Sequence, residues 1–151
     1  MEKVLFLDVD GVLNAVGTKN KSPHGTYGVD PERAKILDRI VDQTGCYIVL
    51  SSTWRKYPDL VAYLFGTLSP ATRSMIVSKT PVFSNGERGD EIREWLDSNP
   101  GVKTFAILDD DADMGSVLPF LVQTHPFEAL TDEIADRVIK MLNTPVEPDP
   151  E

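Results

Sequence analysis

The chain alternates between short unbroken apolar runs and longer stretches whose apolar residues recur every three or four positions. "KVLFLD" (3–8) is apolar at four successive positions, the pattern of a strand buried on both faces within a parallel sheet. "CYIVL" (46–50), "SMIVS" (74–78), "TFAIL" (104–108) and "FLVQT" (120–124) predict four more strands. "PERAKILDRIVDQTG" predicts a helix over 31–44, with Pro31 at its start, apolar Ala34, Ile36, Leu37, Ile40 and Val41, and Gly45 as its stop. "PDLVAYLFG" predicts a short helix ending at Gly66. "DEIREWLDSN" predicts a helix N-capped by Asp90 and stopped at Asn99-Pro100-Gly101, and "TDEIADRVIKMLN" a last helix capped by Thr131. Strand and helix alternate, so the expected class is α/β, with a mainly parallel five-stranded sheet and right-handed crossovers.

In such sheets ligands bind outside the carboxyl ends of the strands. Asp8 and Asp10 follow the first strand, Ser51 and Ser52 the second, and Asp109, Asp110, Asp111 and Asp113 the fourth. Carboxylates gathered at one point repel one another and need a cation or a shared proton. The candidate donors are all oxygens, which favours a hard ion, Mg²⁺ where the substrate is a phosphate. Two other uses of such acids fail on spacing. A calcium-binding EF-hand loop starting at Asp109 would have Met114 where glycine is required and Phe120 where the bidentate glutamate belongs. A phosphoacceptor signalling domain would need adjacent acids after the first strand and an aspartate after a middle one. This chain has Asp-x-Asp and then serines.

"FLDVDGVLN" resembles the first signature of the haloacid dehalogenase-like (HAD-like) phosphohydrolases, "YIVLSSTWR" the second and "FAILDDDADM" the fourth, in the family's order. The resemblance implies a Rossmann-like core with sheet order 3-2-1-4-5 and a Mg²⁺-dependent phosphomonoester hydrolase working through an aspartyl phosphate. It makes Asp8 the nucleophile and Asp10 the general acid and base. Asp8, Asp109 and either Asp110 or Asp113 would hold the ion, with the backbone carbonyl of Asp10. Gly11 would permit a turn that a side chain forbids. Ser51, with Ser52 in reserve, would bind a phosphoryl oxygen. The basic third signature is less distinct: Arg88 is the first candidate for the positive charge and Lys79 the second. Arg55 could pair with a phosphate. Trp54 could stack on a base or pack on the helix that follows it. "SSTWR", "RGDEIREWL" and "ILDDDADM" together are similar, more loosely, to phosphatase domains of RNA-repair (Swiss Army Knife) proteins. That likeness points to a nucleotide or a terminal RNA or DNA phosphate as substrate. A phosphotransferase, or a silent metal-binding interaction domain on the same fold, are the alternatives.

Spacing and composition refine this picture. Asp8 and Ser51 are 43 positions apart, and a helix and a strand fill most of that interval. What remains is the glycine-containing loop "AVGTKNKSPHGTYGVD", with Lys19 and Lys21 as a small basic rim and no room for a separate cap domain. The site is therefore expected to be open. The net charge of −9 excludes a broad cationic surface for a long nucleic-acid backbone. The single cysteine, Cys46, makes no internal disulfide and is expected to be buried and inert. His24 and His125 are expected in loops. Residues 1–143 are expected to form one domain, and 144–151, "TPVEPDPE", a disordered acidic, proline-rich tail. No apolar run reaches the length of a membrane span, and Asp8 and Asp10 interrupt the one near the N-terminus, so a cytoplasmic location is expected.

Overall fold

A computed structural model of the chain describes residues 1–145. The strands are β1 (Lys3–Leu7), β2 (Tyr47–Leu50), β3 (Ile76–Lys79), β4 (Thr104–Asp109) and β5 (Leu121–Gln123). They form one sheet in the order β3-β2-β1-β4-β5, and every pairing is parallel. Five helices connect or cover them: α1 (Pro31–Thr44), α2 (Pro58–Thr67), α3 (Pro70–Ser74), α4 (Arg88–Asp97) and α5 (Asp132–Asn143). The expected fold class and strand order are those observed.

Period-two alternation sends strand residues to two separate cores. Leu5, Leu7, Ile48, Leu50, Ala106 and Leu108 pack on one face with Leu37 and Ile40 of α1, Leu64 of α2, and Ala135, Val138 and Leu142 of α5. Val4, Phe6, Val49 and Ile107 pack on the other with Ile92, Trp95 and Leu96 of α4. Both faces of β1 are thus covered, and Val4 to Leu7 are fully buried. Cys46 is buried too, and burial pushes its thiol pKa up, away from reactivity.

Differences from the expected elements lie at ends and in short pieces. Gly66 sits inside α2, which runs on to Thr67, and Gly45 closes α1 in the left-handed region (φ 67°). Ser69 and Pro70 open the five-residue α3, too short to show a helical period, and β3 therefore starts at Ile76. Two 3-10 turns, Thr53–Lys56 and Gly115–Phe120, follow β2 and precede β5, so β5 begins at Leu121. α4 is N-capped by Glu87 rather than Asp90. Asp90 is its third residue and returns a hydrogen bond to the Glu87 N–H, a reciprocal capping box. Between β1 and α1 the chain makes one isolated antiparallel bridge, Lys21–Tyr27, with no helix or strand among residues 8–30 and hence no cap domain there. Of the expected tail, residues 146–151 lie outside the described residues. No helix among the described residues is long and apolar enough to cross a membrane.

One buried ion pair ties the carboxyl edge of the sheet to α4. The Arg55 guanidinium donates to the carbonyls of Ser51, Ser52, Thr80 and Pro81 at 2.8–3.1 Å and meets Glu91 Oε1 at 3.0 Å. Glu91 Oε2 accepts the Phe83 N–H at 2.9 Å. Arg55 thus spans the ends of β2 and β3, and burial lowers its pKa against the opposing pull of Glu91. Removing one partner strands the other charge and several carbonyls. Arg55→Met should therefore destabilise the fold by about 3–5 kcal/mol in denaturant unfolding. A loss below about 1 kcal/mol, the scale of an exposed pair, would contradict this role.

Candidate active site

The alternation that builds the α4-side core also builds the site. Phe6, Val49 and Ile107 face α4, and two residues further on each strand stand Asp8, Ser51 and Asp109. Ladder bonds run past the strand ends and hold this level. The Asp8 N–H donates to the Leu108 carbonyl at 3.0 Å, and the Ser51 N–H to the Leu7 carbonyl at 3.1 Å. Asp8, Ser51 and Asp109 are all buried.

Asp8, Asp109 and Asp110 each bring an oxygen within 4.8 Å of the others. Burial, and then the neighbouring Asp109, push the Asp8 carboxyl well above the usual carboxylate range. The same two causes raise Asp110. Arg88, the first residue of α4, opposes them. Its Nη1 lies 2.6 Å from Asp109 Oδ2 and 3.4 Å from Asp8 Oδ1. Burial would lower the Arg88 pKa, but Asp8 and Asp109 outweigh it and raise it. A cation at a helix N-terminus works against the helix dipole, so Arg88 depends on these acids for its place. Two buried carboxylates and one half-buried one, each offering an oxygen, fit a hard divalent cation, and no softer ligand stands among them.

A second set of contacts shapes the turn after β1. Gly11 has φ 78°, and a Cβ there would lie 2.3 Å from Asp110 Oδ2, so only glycine leaves room for that carboxylate. Thr124, after β5, donates its hydroxyl to the Gly11 carbonyl at 2.6 Å. Asn14 accepts the Gly11 N–H at 3.0 Å and donates to Asp10 Oδ1 at 3.0 Å. Asp10 is the exposed acid of the group and lines a cavity of about 230 Å³ with Asn14, Val16, Tyr27, Asp110 and Pro126. A larger cavity of about 510 Å³ lies around Lys103, Phe105, Phe120 and Arg137, at the amino end of β4 and away from the acids.

The site thus brings together Asp8, Asp10, Gly11, Ser51, Arg88, Asp109 and Asp110. Other sequence-derived candidates are placed differently. Asp113 stands apart from the acid cluster, its carboxylate accepting the backbone N–H of Arg88 at 3.4 Å, so Asp110 is the acid that joins Asp109. Ser52 caps the following 3-10 turn by accepting the Trp54 N–H at 3.1 Å, which occupies its hydroxyl. Arg55 is committed to Glu91 and four carbonyls and is not offered to a phosphate. Trp54, 3% exposed, packs beside Tyr63 and presents no free face to a base. Lys79 is exposed at the end of β3, bordering a different cavity with Leu50 and Phe65, and Arg88 supplies the positive charge at the acids. Lys19 is exposed on the 15–30 loop, Lys21 lies 5.1 Å over the Tyr27 ring, His24 meets Asp59, and His125 accepts the Phe127 N–H. Asn14 and Thr124 were given no role from sequence. Their signal is a polar residue ending an apolar run, in "GVLN" and "FLVQT".

One buried polar atom of the site has no partner among the described residues: Ser51 Oγ. No curated protein matches the chain. Its sequence does match, over residues 4–135, the family described as the HAD domain in Swiss Army Knife RNA repair proteins. With most of its length in that match, and with the family's strand order and acids at the strand ends, the chain belongs to this HAD-domain family.

Proposed function

We propose that this domain is a metal-dependent phosphomonoesterase with an aspartyl-phosphate intermediate. The observation that carries this reading is the fully buried Ser51 hydroxyl, without a partner among the described residues, at the end of β2 next to the end of β1 where Asp8 stands with Asp109 and Arg88. A hydroxyl donor, a guanidinium and a carboxylate nucleophile are the set that a phosphoryl group requires.

Asp8 attacks phosphorus with one carboxylate oxygen while the bond to the leaving oxygen breaks. Asp10 gives that oxygen its proton, and the alcohol departs. Asp10, now a carboxylate, takes a proton from water as the water attacks phosphorus, releasing Asp8 and inorganic phosphate. Ser51 and Arg88 hold the equatorial oxygens throughout. Asp8, Asp109 and Asp110, with the Asp10 carbonyl, would hold Mg²⁺, which would supply charge that lets one anion approach another. Among the described residues no cap domain stands over the site, and the cavity beside Asp10 is small, which suits a phosphate at the end of a larger molecule. Together with the RNA-repair description of the family, this favours a nucleotide or a terminal nucleic-acid phosphate. The net charge of −9 restricts the contact to the end of the strand rather than a long backbone. A location in the cytoplasm belongs to this reading.

Release of inorganic phosphate tests it, with nucleotides, a phosphopeptide, and short RNA and DNA carrying 5′ or 3′ phosphates. Release should require Mg²⁺, stop reversibly with chelator and vanish in Asp8→Asn. Asp10→Asn should lose about 10²–10⁴-fold in rate. A fully active Asp8→Asn protein would sink the reading. The acid cluster gives a second test. Burial and the neighbouring Asp109 raise the Asp8 and Asp110 carboxyls, so a cation competes increasingly with protons for them as pH falls. Mg²⁺ affinity should rise with pH until those carboxyls ionise unaided, with net proton release seen by calorimetry in buffers of different ionisation enthalpy. A pH-independent affinity would contradict it.

A further inference from the structure

Trp54 is close to the reacting groups but reaches no substrate. Its indole Nε1 donates to Asp10 Oδ2 at 3.1 Å, while Asn14 Nδ2 donates to Asp10 Oδ1 at 3.0 Å. Both oxygens of an exposed carboxylate are therefore held, from two different parts of the chain. A lone surface aspartate would sample several rotamers, and two donors select one.

Each donor is itself anchored. Trp54 sits in the 3-10 turn that Ser52 caps, and its ring packs beside Tyr63, centroids 6.0 Å apart. Tyr63 in turn accepts the Val29 N–H at 3.1 Å. Asn14 accepts the Gly11 N–H and lies 2.9 Å from the Gly28 carbonyl. The carboxyl of Asp10 is thus fixed to the 3-10 turn before α2 on one side and to the 15–30 loop on the other.

The donors are also neutral, in contrast to those around Asp8. A cation beside a carboxylate favours its ionised form, as Arg88 does for Asp8. The indole N–H and the amide instead fix where the Asp10 carboxyl points. The site therefore divides, with a guanidinium on the nucleophile and metal side and neutral donors on the proton-transfer side.

We propose that Trp54 is a positioning residue for proton transfer, aligning the Asp10 carboxyl on the leaving-group oxygen through its indole N–H. This rests on the phosphomonoesterase reading. It predicts a dependence on the leaving group. A nitrophenolate departs without help, whereas an alkoxide needs the proton from Asp10. Trp54→Phe keeps the buried ring and removes the donor.

The test measures kcat/KM, which reads the steps up to departure of the leaving group, for wild type, Trp54→Phe and Asp10→Asn on phosphate esters graded from nitrophenyl to alkyl. Trp54→Phe should lower kcat/KM about tenfold or more on alkyl esters, part of the full general-acid contribution, and change it little on nitrophenyl esters, while the later hydrolysis of the aspartyl phosphate, where Asp10 is the base, slows to the same extent for all of them. Asp10→Asn should show a dependence on the leaving group in the same direction, with a steeper slope. Equal losses of kcat/KM on all esters, or none, would overturn the proposal in favour of a purely packing role. Wild-type protein that cleaves none of the esters would overturn the phosphatase reading and the proton-transfer role with it.

A measurement on folded protein without turnover reads the contact itself. The chain has two tryptophans, so two indole N–H resonances. Trp95 donates to Ser78 Oγ at 2.9 Å, far from Asp10, and serves as control. Asp10→Asn should move the Trp54 indole proton upfield, as a charge-assisted bond becomes a neutral one, and leave Trp95 in place. An unmoved Trp54 resonance would overturn the clamp whatever Trp54→Phe does to folding or rate.

Discussion

Two adjacent parallel strands, β1 and β4, run in register so that Leu7 lies opposite Leu108, and the next residues are Asp8 and Asp109. This single alignment forces two carboxylates together at the edge of a dry core. The remaining features of the site answer the resulting repulsion. Arg88 bridges the two acids, Asp8 takes a raised pKa, and Gly11 leaves the space that brings Asp110 alongside. Negative charge density, held by a rigid sheet, makes this edge a candidate cation site.

Rigidity comes from contacts away from the chemistry. α4 must begin at one point for Arg88 to reach the acids, and its approach to the loop after β4 is tight. A Cβ on Gly89 would stand 1.9 Å from the Met114 carbonyl oxygen. The Gly89 N–H donates to the Asp113 carbonyl at 3.1 Å, which fastens the helix start to the acidic loop. The Arg55–Glu91 pair fixes the same helix to the ends of β2 and β3, and so to Ser51. Charged residues in this domain therefore do two jobs. Some hold the frame, and some gather at the acid cluster.

This division explains what could be read from sequence. Strands and strand ends were legible, because apolar runs on a doubly covered sheet stop where polar residues begin, as at Leu7-Asp8 and Leu50-Ser51. Arg88 was legible from its place before "GDEIREWL", although the helix starts at Arg88 itself under a Glu87 cap. Arg55 was not, and Trp54 only as one of two alternatives, stacking on a base or packing, since an arginine and a tryptophan after a strand look like ligand contacts. What makes them framework is distant: the carbonyls after β3, Glu91 on α4, and the Asp10 carboxylate. The choice of Asp110 over Asp113 depended on the backbone of the acidic loop. There Asp109 accepts the Asp111 N–H at 3.0 Å and Asp111 the Asp113 N–H at 3.2 Å, leading Asp113 off to the start of α4. Spacing alone does not encode that path.

Direct detection of a phosphoryl group on Asp8 tests the central claim most closely. Wild-type protein would be mixed with Mg²⁺ and an aryl phosphate, quenched in acid within one turnover, and its peptides analysed by mass spectrometry. The account predicts one phosphoryl group on the peptide containing Asp8, labile to hydroxylamine as an acyl phosphate must be. Turnover with no such adduct, or with the phosphoryl group on Ser51, would contradict it.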